Sequence, residues 1–431
     1  MPRQPLELAP FRGLRYTDLD IDRVLDSGEL EVANLLAPPY DIPGPEATRE
    51  LLRSDPHNAA HLTVPYQLNL TMPGSCGGSP ARFIYEKAAA RLRSWIDDGV
   101  LAQDQTPALY VYEQVTAEGD RQRGLVGALR LPEKGSGPVR GHESVSQGPV
   151  LDRMWLMRAT RANLEPIFLL YRGGDGAATR ATESAERHGD LLVDTRTADG
   201  TAHRLWALPS TAAHARISAD LADRTALIAD GHHRYDAYHA VREHDRDPGW
   251  EYGLAFLVDS DAHPPRLGAI HRVLPGLDTA TAIAALQEIA TVDKLETGAP
   301  HVPEPAPAPS LVLVAPDGTA HLVHDFDEAA LERAMPSRSA DWRHLPTAIL
   351  REVLLPLWGY LDDRRVRMVH DDADEAVQAA GETGGTAVLV PPMSVEHVYS
   401  IVDRGELTPR KSTSFGPKPR SGLVMRVLDQ P

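Results

Sequence analysis

At 431 residues the chain exceeds what one hydrophobic core organises, since cores stop growing at about 250 to 300 residues; two units, or three, are expected. Its 44 Lys plus Arg stand against 61 Asp plus Glu, a formal charge of −17 that opposes attraction to nucleic-acid phosphates and anionic membrane and sets both aside as partners. One cysteine, Cys76, excludes an internal disulfide; no apolar run reaches the roughly 18 residues that span a bilayer, and MPRQPLELAPFRGLRY lacks a secretory pattern, so a cytoplasmic protein is expected.

In chain order, PFRGLRY reads as a short strand, Pro38-Pro39-Tyr40-Asp41 as a loop, and a helix begins near Pro45. Ile84, Ala88, Leu92 and Ile96 recur at helical spacing with charges on the opposite face. PALYVYEQVTAEGDRQRGLVGALRL alternates as a hairpin turning at Glu118-Gly119-Asp120, with its second strand from Gly124 to Leu131. A helix through Arg158, a loop at Arg161-Ala162-Asn163 and a buried strand, Ile167 to Tyr171, come next. A helix from Ala177 to Gly189, a hairpin through Asp199-Gly200 and a helix from Ser210 to Asp223 follow.

HVPEPAPAPSLVLVAP has proline at 303, 305, 307 and 309 and reads as an extended connector, which puts the domain boundary at 300/301. Beyond it a strand is expected at Leu311 to Val314, helices at Asp327 to Ala334 and Ala348 to Trp358, a strand at Thr386 to Val390 and a helix at Ser394 to Arg404. Gly381 to Gly385, GETGG, lacks the lysine of a P-loop and reads as a turn. Strands alternating with helices give a mixed α/β class.

Chemistry concentrates in ALIADGHHRYDAYHAVREHD. An apolar strand from Ala226 to Ala229 passes Asp230 and Gly231 into a helix expected from Arg234, leaving first-turn N–H groups without helical partners and the positive end of the helix dipole in front of them. Glycine admits a ligand close to the backbone, Arg234 offers a fork for phosphate oxygens, and His232 and His233 add donors whose charge responds to an anion. Two alternatives stand beside this phosphate cradle: a helix start capped by Asp230, and a zinc site, against which the divergent directions of neighbouring helical residues and the lack of nearby cysteine count.

These residues also carry a resemblance. PFRGLRY, LAPPYD, ALYVYEQ, RATRANLEPIF, GHHRYDAYHAV and RKSTSFGPKPRSGLVMRVL resemble, in this order, domain-of-unknown-function family 1015 (DUF1015), and the whole is similar to the ParB/sulfiredoxin superfamily. That kinship implies a Gly-x-x-Arg turn holding nucleotide phosphate at a helix start. Asp230 to Arg234 resembles the Asp-Gly-His-His-Arg version of the free serine kinases rather than the Gly-Glu-Arg-Arg of ParB proteins. Asp236 departs from the glutamate more usual in the family, which touches only fine positioning.

Other candidates are less specific. His142 and Glu143, in a glycine-bordered loop, suit phosphate contact and either proton abstraction or Mg²⁺ binding; Glu113 and Asp41 are rivals for the base. Arg161 and Asn163 fit a ligand contact or a salt-bridged loop equally. In the basic stretch Pro409 to Gly422, Lys411, Ser412, Thr413 and Lys418 mix charge and hydroxyls as a polyphosphate would need, and the resemblance implies that this loop folds back over the cleft.

The expectation is an α/β (mixed α+β) protein with a ParB/sulfiredoxin-like region over 1–300 and a C-terminal α/β region over 301–431. Its expected activity is phosphoryl transfer from ATP or ADP, or CTP, with Mg²⁺, to a small hydroxylated metabolite such as a serine-like amino acid. Gly231, His232, His233 and Arg234 would hold phosphate, Asp230 and Glu143 would serve metal or proton transfer, and His233 would take part in catalysis. A nucleotide-gated binding switch and a metal-dependent hydrolase are the alternatives.

Overall fold

The computed structural model describes residues 4–17, 32–41, 44–65, 81–135, 137–295, 309–361 and 365–428. The chain forms two compact units, one of residues 1–141, 145–265 and 417–431, the other of 142–144 and 266–416. Residues 301–308 of the proline connector, the 300/301 boundary and Cys76 lie outside the described residues, while the change of unit falls at 265/266. The class is mixed α+β.

In the first unit nine strands share one sheet: β1 (Leu8–Ala9), β2 (Leu109–Val115), β3 (Arg121–Arg130), β4 (Val139–Arg140), β5 (Ile167–Tyr171), β6 (Asp190–Arg196), β7 (Ala202–Leu208), β8 (Ala226–Asp230) and β9 (Tyr252–Asp259). Their order is β4-β8-β5-β9-β3-β2-β7-β6, with β1 added to β3; β4/β8 and β5/β9 are parallel and the other pairs antiparallel. The middle of the sheet is apolar on both faces, which is why IFLLY and GLAFLV run without alternation. Edge strand β6 exposes Asp190, Asp194 and Arg196, charges that discourage pairing with another chain.

The helices α1 (Ala81–Asp97), α2 (Gln147–Thr160), α3 (Ala177–Glu183), α4 (Thr211–Leu221) and α5 (His232–His244) cover this unit. Gly253 in β9 lacks a side chain where a Cβ would come within 2.3 Å of the Tyr238 ring, so α5 lies close against the strand and the Tyr238 hydroxyl donates to the Leu254 carbonyl at 2.9 Å.

Three local expectations change. The helix expected over 177–189 breaks at Ser184, whose backbone (φ −95, ψ 5) leaves the helical region before Ala185–His188 resumes it. The loop at Arg161 to Asn163 contains a two-residue strand, Ala162–Asn163, paired with Arg426–Val427. The helix expected from Arg234 begins two residues earlier, at His232.

The second unit is an antiparallel six-stranded sheet, ordered Thr291–Lys294, Ala320–His324, Leu311–Val314, Thr386–Leu389, Ile270–Leu274 and Arg367–His370. Helix Ala373–Thr383 buries Ala376, Ala379 and Ala380 on it at one-turn spacing. Gly381 therefore lies in a helix rather than the expected turn, and Gly384 closes that helix in the left-handed region, φ 58. No helix among the described residues is long and apolar enough to cross a membrane.

Two histidines in the first unit tie its stability to pH. His203 is fully buried between the Tyr112 hydroxyl (2.9 Å) and the Thr197 hydroxyl (3.0 Å), and burial, then Arg420, pushes it down to about 4. His239 is pushed down to about 4 by burial and then Arg242. The unfolded chain takes up these protons near pH 6.5 and the folded chain only near 4, so stability is lost as the pH falls through that window, by up to about 1.4 kcal/mol per pH unit for each group. Urea unfolding across the window is expected to show the decline, and His203→Gln to flatten part of it; a stability independent of pH there contradicts the assignment.

Candidate functional site

Strand β8 sets Ala226, Leu227 and Ile228 against Tyr171, Leu170 and Leu169 of β5, then slips one residue so that Asp230 faces Phe168. Strict alternation would send Asp230 into the apolar cluster that holds Ala226 and Ile228; the bulge breaks it. Gly231 follows in the left-handed region, φ 91 and ψ 28, and α5 starts at the next residue. A Cβ there would lie 3.0 Å from Ile167 and 3.1 Å from Arg234 Nε, on a backbone that L side chains resist. A left-handed residue followed by right-handed ones turns successive N–H groups toward one point, and those of the first helical turn have no intrahelical acceptor. The backbone of this turn has the form of an anion nest.

Asp230, 7% exposed, sits between two cations: Oδ2 is 2.5 Å from Arg234 Nη2 and Oδ1 is 2.5 Å from Lys418 Nζ. Burial raises its carboxyl, but Lys418 and Arg234 outweigh burial and hold it at about 2. Burial likewise lowers Lys418, and Asp230 and Asp41 more than restore it. Lys418 stands between Pro417 and Pro419, which lack N–H groups and restrict the backbone to extended forms, so it is presented by a stiff segment that joins no ladder.

The expected phosphate fork of Arg234 is corrected. The side chain is 2% exposed and turned inward, with Nη1 donating to the Pro166 carbonyl at 2.6 Å and Nη2 to Asp230; Nε, beneath Gly231, has no acceptor among the described residues. An interior carboxylate needs a counter-ion, and Arg234 supplies it from one helical turn away. His233 Nε2 accepts the Ser146 N–H at 3.1 Å, so that nitrogen is engaged in joining the starts of α2 and α5 rather than poised for catalysis. His232 is buried beside Gly141, where a Cβ would come within 3.2 Å of its ring.

A second buried carboxylate, not singled out from the sequence, lies in the same unit. Glu165 Oε1 accepts the Tyr40 N–H (3.0 Å) and the Ser421 hydroxyl (2.9 Å), and Oε2 lies 3.6 Å from Arg153 Nη1. The Tyr40 ring carries the Arg153 guanidinium 4.0 Å from its centre and that of Arg234 at 5.9 Å. The signal was present in LAPPYD and NLEP, whose polar residues flank prolines in otherwise apolar stretches.

The remaining candidates separate. Arg161 pairs with Asp247, and the fully buried Asn163 accepts from Arg426 at 3.1 Å, so both hold structure. Glu113 is buried among Arg121, Arg123 and Arg204, which leaves it no vacancy as a base. Asp41 is exposed, and its charge raises both Lys418 and Arg234. In the second unit His142 Nε2 and the Thr413 hydroxyl are 2.7 Å apart, Glu143 faces the Lys411 N–H at 3.4 Å, and the Ser412 hydroxyl donates to the Pro409 carbonyl at 2.7 Å. Of the four residues expected from the basic stretch, Lys418 belongs to the unit that carries the turn.

Asp230 does not fit Mg²⁺: each of its oxygens is held by a cation, and a further divalent charge there would face both. Among the described residues no three His, Cys, Asp or Glu side chains converge as a metal centre.

No curated protein matches the sequence. Among solved structures, the chain is similar to SbnI with a C-terminal truncation from Staphylococcus aureus (11% identity, 68% of this chain and 82% of that one, TM-score 0.37). It is also similar to a conserved hypothetical protein from Pyrococcus furiosus (14%, 65% and 87%, TM-score 0.33) and to a free serine kinase mutant in complex with ADP (13%, 65% and 84%, TM-score 0.35). At these scores the likeness says nothing of activity. The family described as "Protein of unknown function (DUF1015)" matches residues 8–357, most of the chain, and the protein belongs to that family.

Proposed function

We propose that the first unit binds nucleotide phosphate at the Gly231 turn and passes a phosphoryl group from ATP or ADP to the hydroxyl of a small metabolite. One observation carries this: a left-handed glycine launches a helix from the end of a buried strand, with the Lys418 ammonium on the carboxylate beside it. The likeness of Asp230 to Arg234 to the free-serine-kinase turn supports the choice of nucleotide and of a serine-like acceptor.

In this scheme the N–H groups of residues 231–233 hold a phosphate, and Lys418 exchanges Asp230 for a phosphate oxygen. Arg234 acts as a positioning residue, fixing Asp230 and the helix start. The acceptor oxygen forms its bond to phosphorus as the bridging P–O bond of the donor breaks; the hydroxyl proton goes to a carboxylate, and the shortened nucleotide is the leaving group. Positioning and charge neutralisation supply most of the acceleration. Asp41, exposed and acting electrostatically on Lys418, is the proposed proton acceptor within this unit.

One observation favours a nucleotide-gated switch as the second reading. The segment bearing Lys418 also reaches Asp199 through Arg420 and Glu165 through Ser421, so a ligand that draws Lys418 from Asp230 acts on all three attachments. Nucleotide turnover that needs a hydroxylated acceptor favours transfer; slow turnover indifferent to it favours the switch.

A nucleotide that binds only the folded state must raise its stability. ATP, ADP or CTP with Mg²⁺ is expected to protect wild type against thermal unfolding, and Lys418→Ala to need about tenfold more ligand for equal protection, about 1.4 kcal/mol. Equal protection of the two proteins by every nucleotide sinks the assignment. Arg234→Ala is expected to fail differently, losing about 3 kcal/mol in urea unfolding without ligand, because it takes one of two cations from a buried carboxylate and the donor from the Pro166 carbonyl. Asp41→Asn is expected to lose about 10² to 10⁴ in turnover while keeping its thermal protection.

A further inference from the structure

The geometry points to a second small-molecule site in the first unit, for a metabolite bearing a carboxylate or phosphate on an apolar body, in the cleft formed by α3, Ala185–His188 and α4. The cleft encloses about 440 Å³, within the range of about 300 to 1,000 Å³ usual for such ligands. It shares no residue with the Gly231 turn and does not depend on the nucleotide assignment.

Donors and acceptors decide what it takes. Arg180, Ser184, His188, Ser210 and Arg216 supply its polar lining, and no acidic side chain is among the lining residues. In a chain of net charge −17 an arginine at a surface ordinarily finds a carboxylate, yet the Arg216 side chain has no hydrogen bond or ion pair among the described residues. Arg180 is steadied by the Asp175 carbonyl, which occupies one of its nitrogens and leaves the others. Ser210 Oγ accepts the Ala213 N–H at 3.3 Å, so its own O–H proton is free to turn to a ligand oxygen. His188 Nδ1 lies 3.2 Å from the Ser184 carbonyl, which places a proton on Nδ1 and leaves Nε2 an acceptor, for a hydroxyl on the ligand rather than for its oxyanion.

The walls between these groups are small and apolar. Ala181 on α3 and Ala213 on α4 keep the two helices from filling the space with side chains, and Leu208 lines it from the end of β7. Two guanidinium groups at such an apolar cleft suit a planar or tetrahedral oxyanion, which arginine grips in fork geometry, attached to a body without charge.

The test is calorimetric titration of the full chain with phenyl phosphate and with benzoate, benzyl alcohol being the uncharged control. Saturable binding of either anion, weakened at least tenfold by Arg216→Ala and partly regained in Arg216→Lys, is the expected result. Saturation by phenyl phosphate identifies the phosphate class and saturation by benzoate the carboxylate class. Lys418→Ala is expected to leave this binding unchanged, which separates it from any phosphate taken up at the Gly231 turn. Arg216 is exposed, so its variants should unfold at the wild-type temperature, and Arg180→Ala provides an independent loss. Saturation by neither anion, equal binding by wild type and Arg216→Ala, or equal binding of benzyl alcohol overturns the inference.

Discussion

The first unit turns on a carboxylate held between two cations. An ionised aspartate removed from water must be neutralised in place, and here one partner comes from the next helical turn and the other from a distant segment. Asp230 thereby fixes three things at once: the end of β8, the entry into α5 and the path of residues 417–421. Glu165 repeats the device, collecting a backbone N–H from the loop at Tyr40, a hydroxyl from Ser421 and the charge of Arg153. Such pairs add little net stability compared with apolar packing, but they penalise any arrangement that leaves one member alone.

The segment from Pro417 onward is held at successive points along its length. Gln114 donates to the Pro417 carbonyl at 2.8 Å, Arg420 pairs with Asp199, and Ser421 bridges Ala37 through the backbone. Met425 pairs with Leu14, Arg426 reaches Asn163, and the Leu428 N–H donates to the Arg161 carbonyl at 2.9 Å. Arg161 and Asn163, chemically suited to an anion, are thus part of how the chain is closed. Their ambiguity in sequence was real, because the same guanidinium and amide serve either purpose and only the partner decides.

Elements whose burial leaves a direct trace were legible: the apolar runs of β5 and β8, the glycine turns of two hairpins, and the helical spacing of Ile84 to Ile96. Gly231 was legible as the site's hinge, but its left-handed backbone starts the helix at His232, earlier than the apolar spacing suggested. The direction of Arg234 was half legible, since Asp230 and Arg234 stand at the spacing of a helical ion pair, and the functional likeness drew attention away from that bland pairing. Lys418 on Asp230 was beyond reach at atomic detail, because a contact so distant in sequence leaves no periodic mark. The strands Ile270–Leu274 and Arg367–His370 of the second unit were missed because His271, Arg272, Arg367 and His370 interrupt their apolar runs, and the alanine face of Ala373–Thr383 was obscured by Gly381.

The interruption of the first unit by the second gives its assembly an order in time. Asp230 and Arg234 are synthesised long before Lys418, with all of residues 266–416 coming between them. At about 5 to 20 residues per second that delay is on the order of ten to thirty seconds. Until then Asp230 can pair only with Arg234, and the attachments of residues 417–428 to Gln114, Asp199 and Asn163 have no segment to form from.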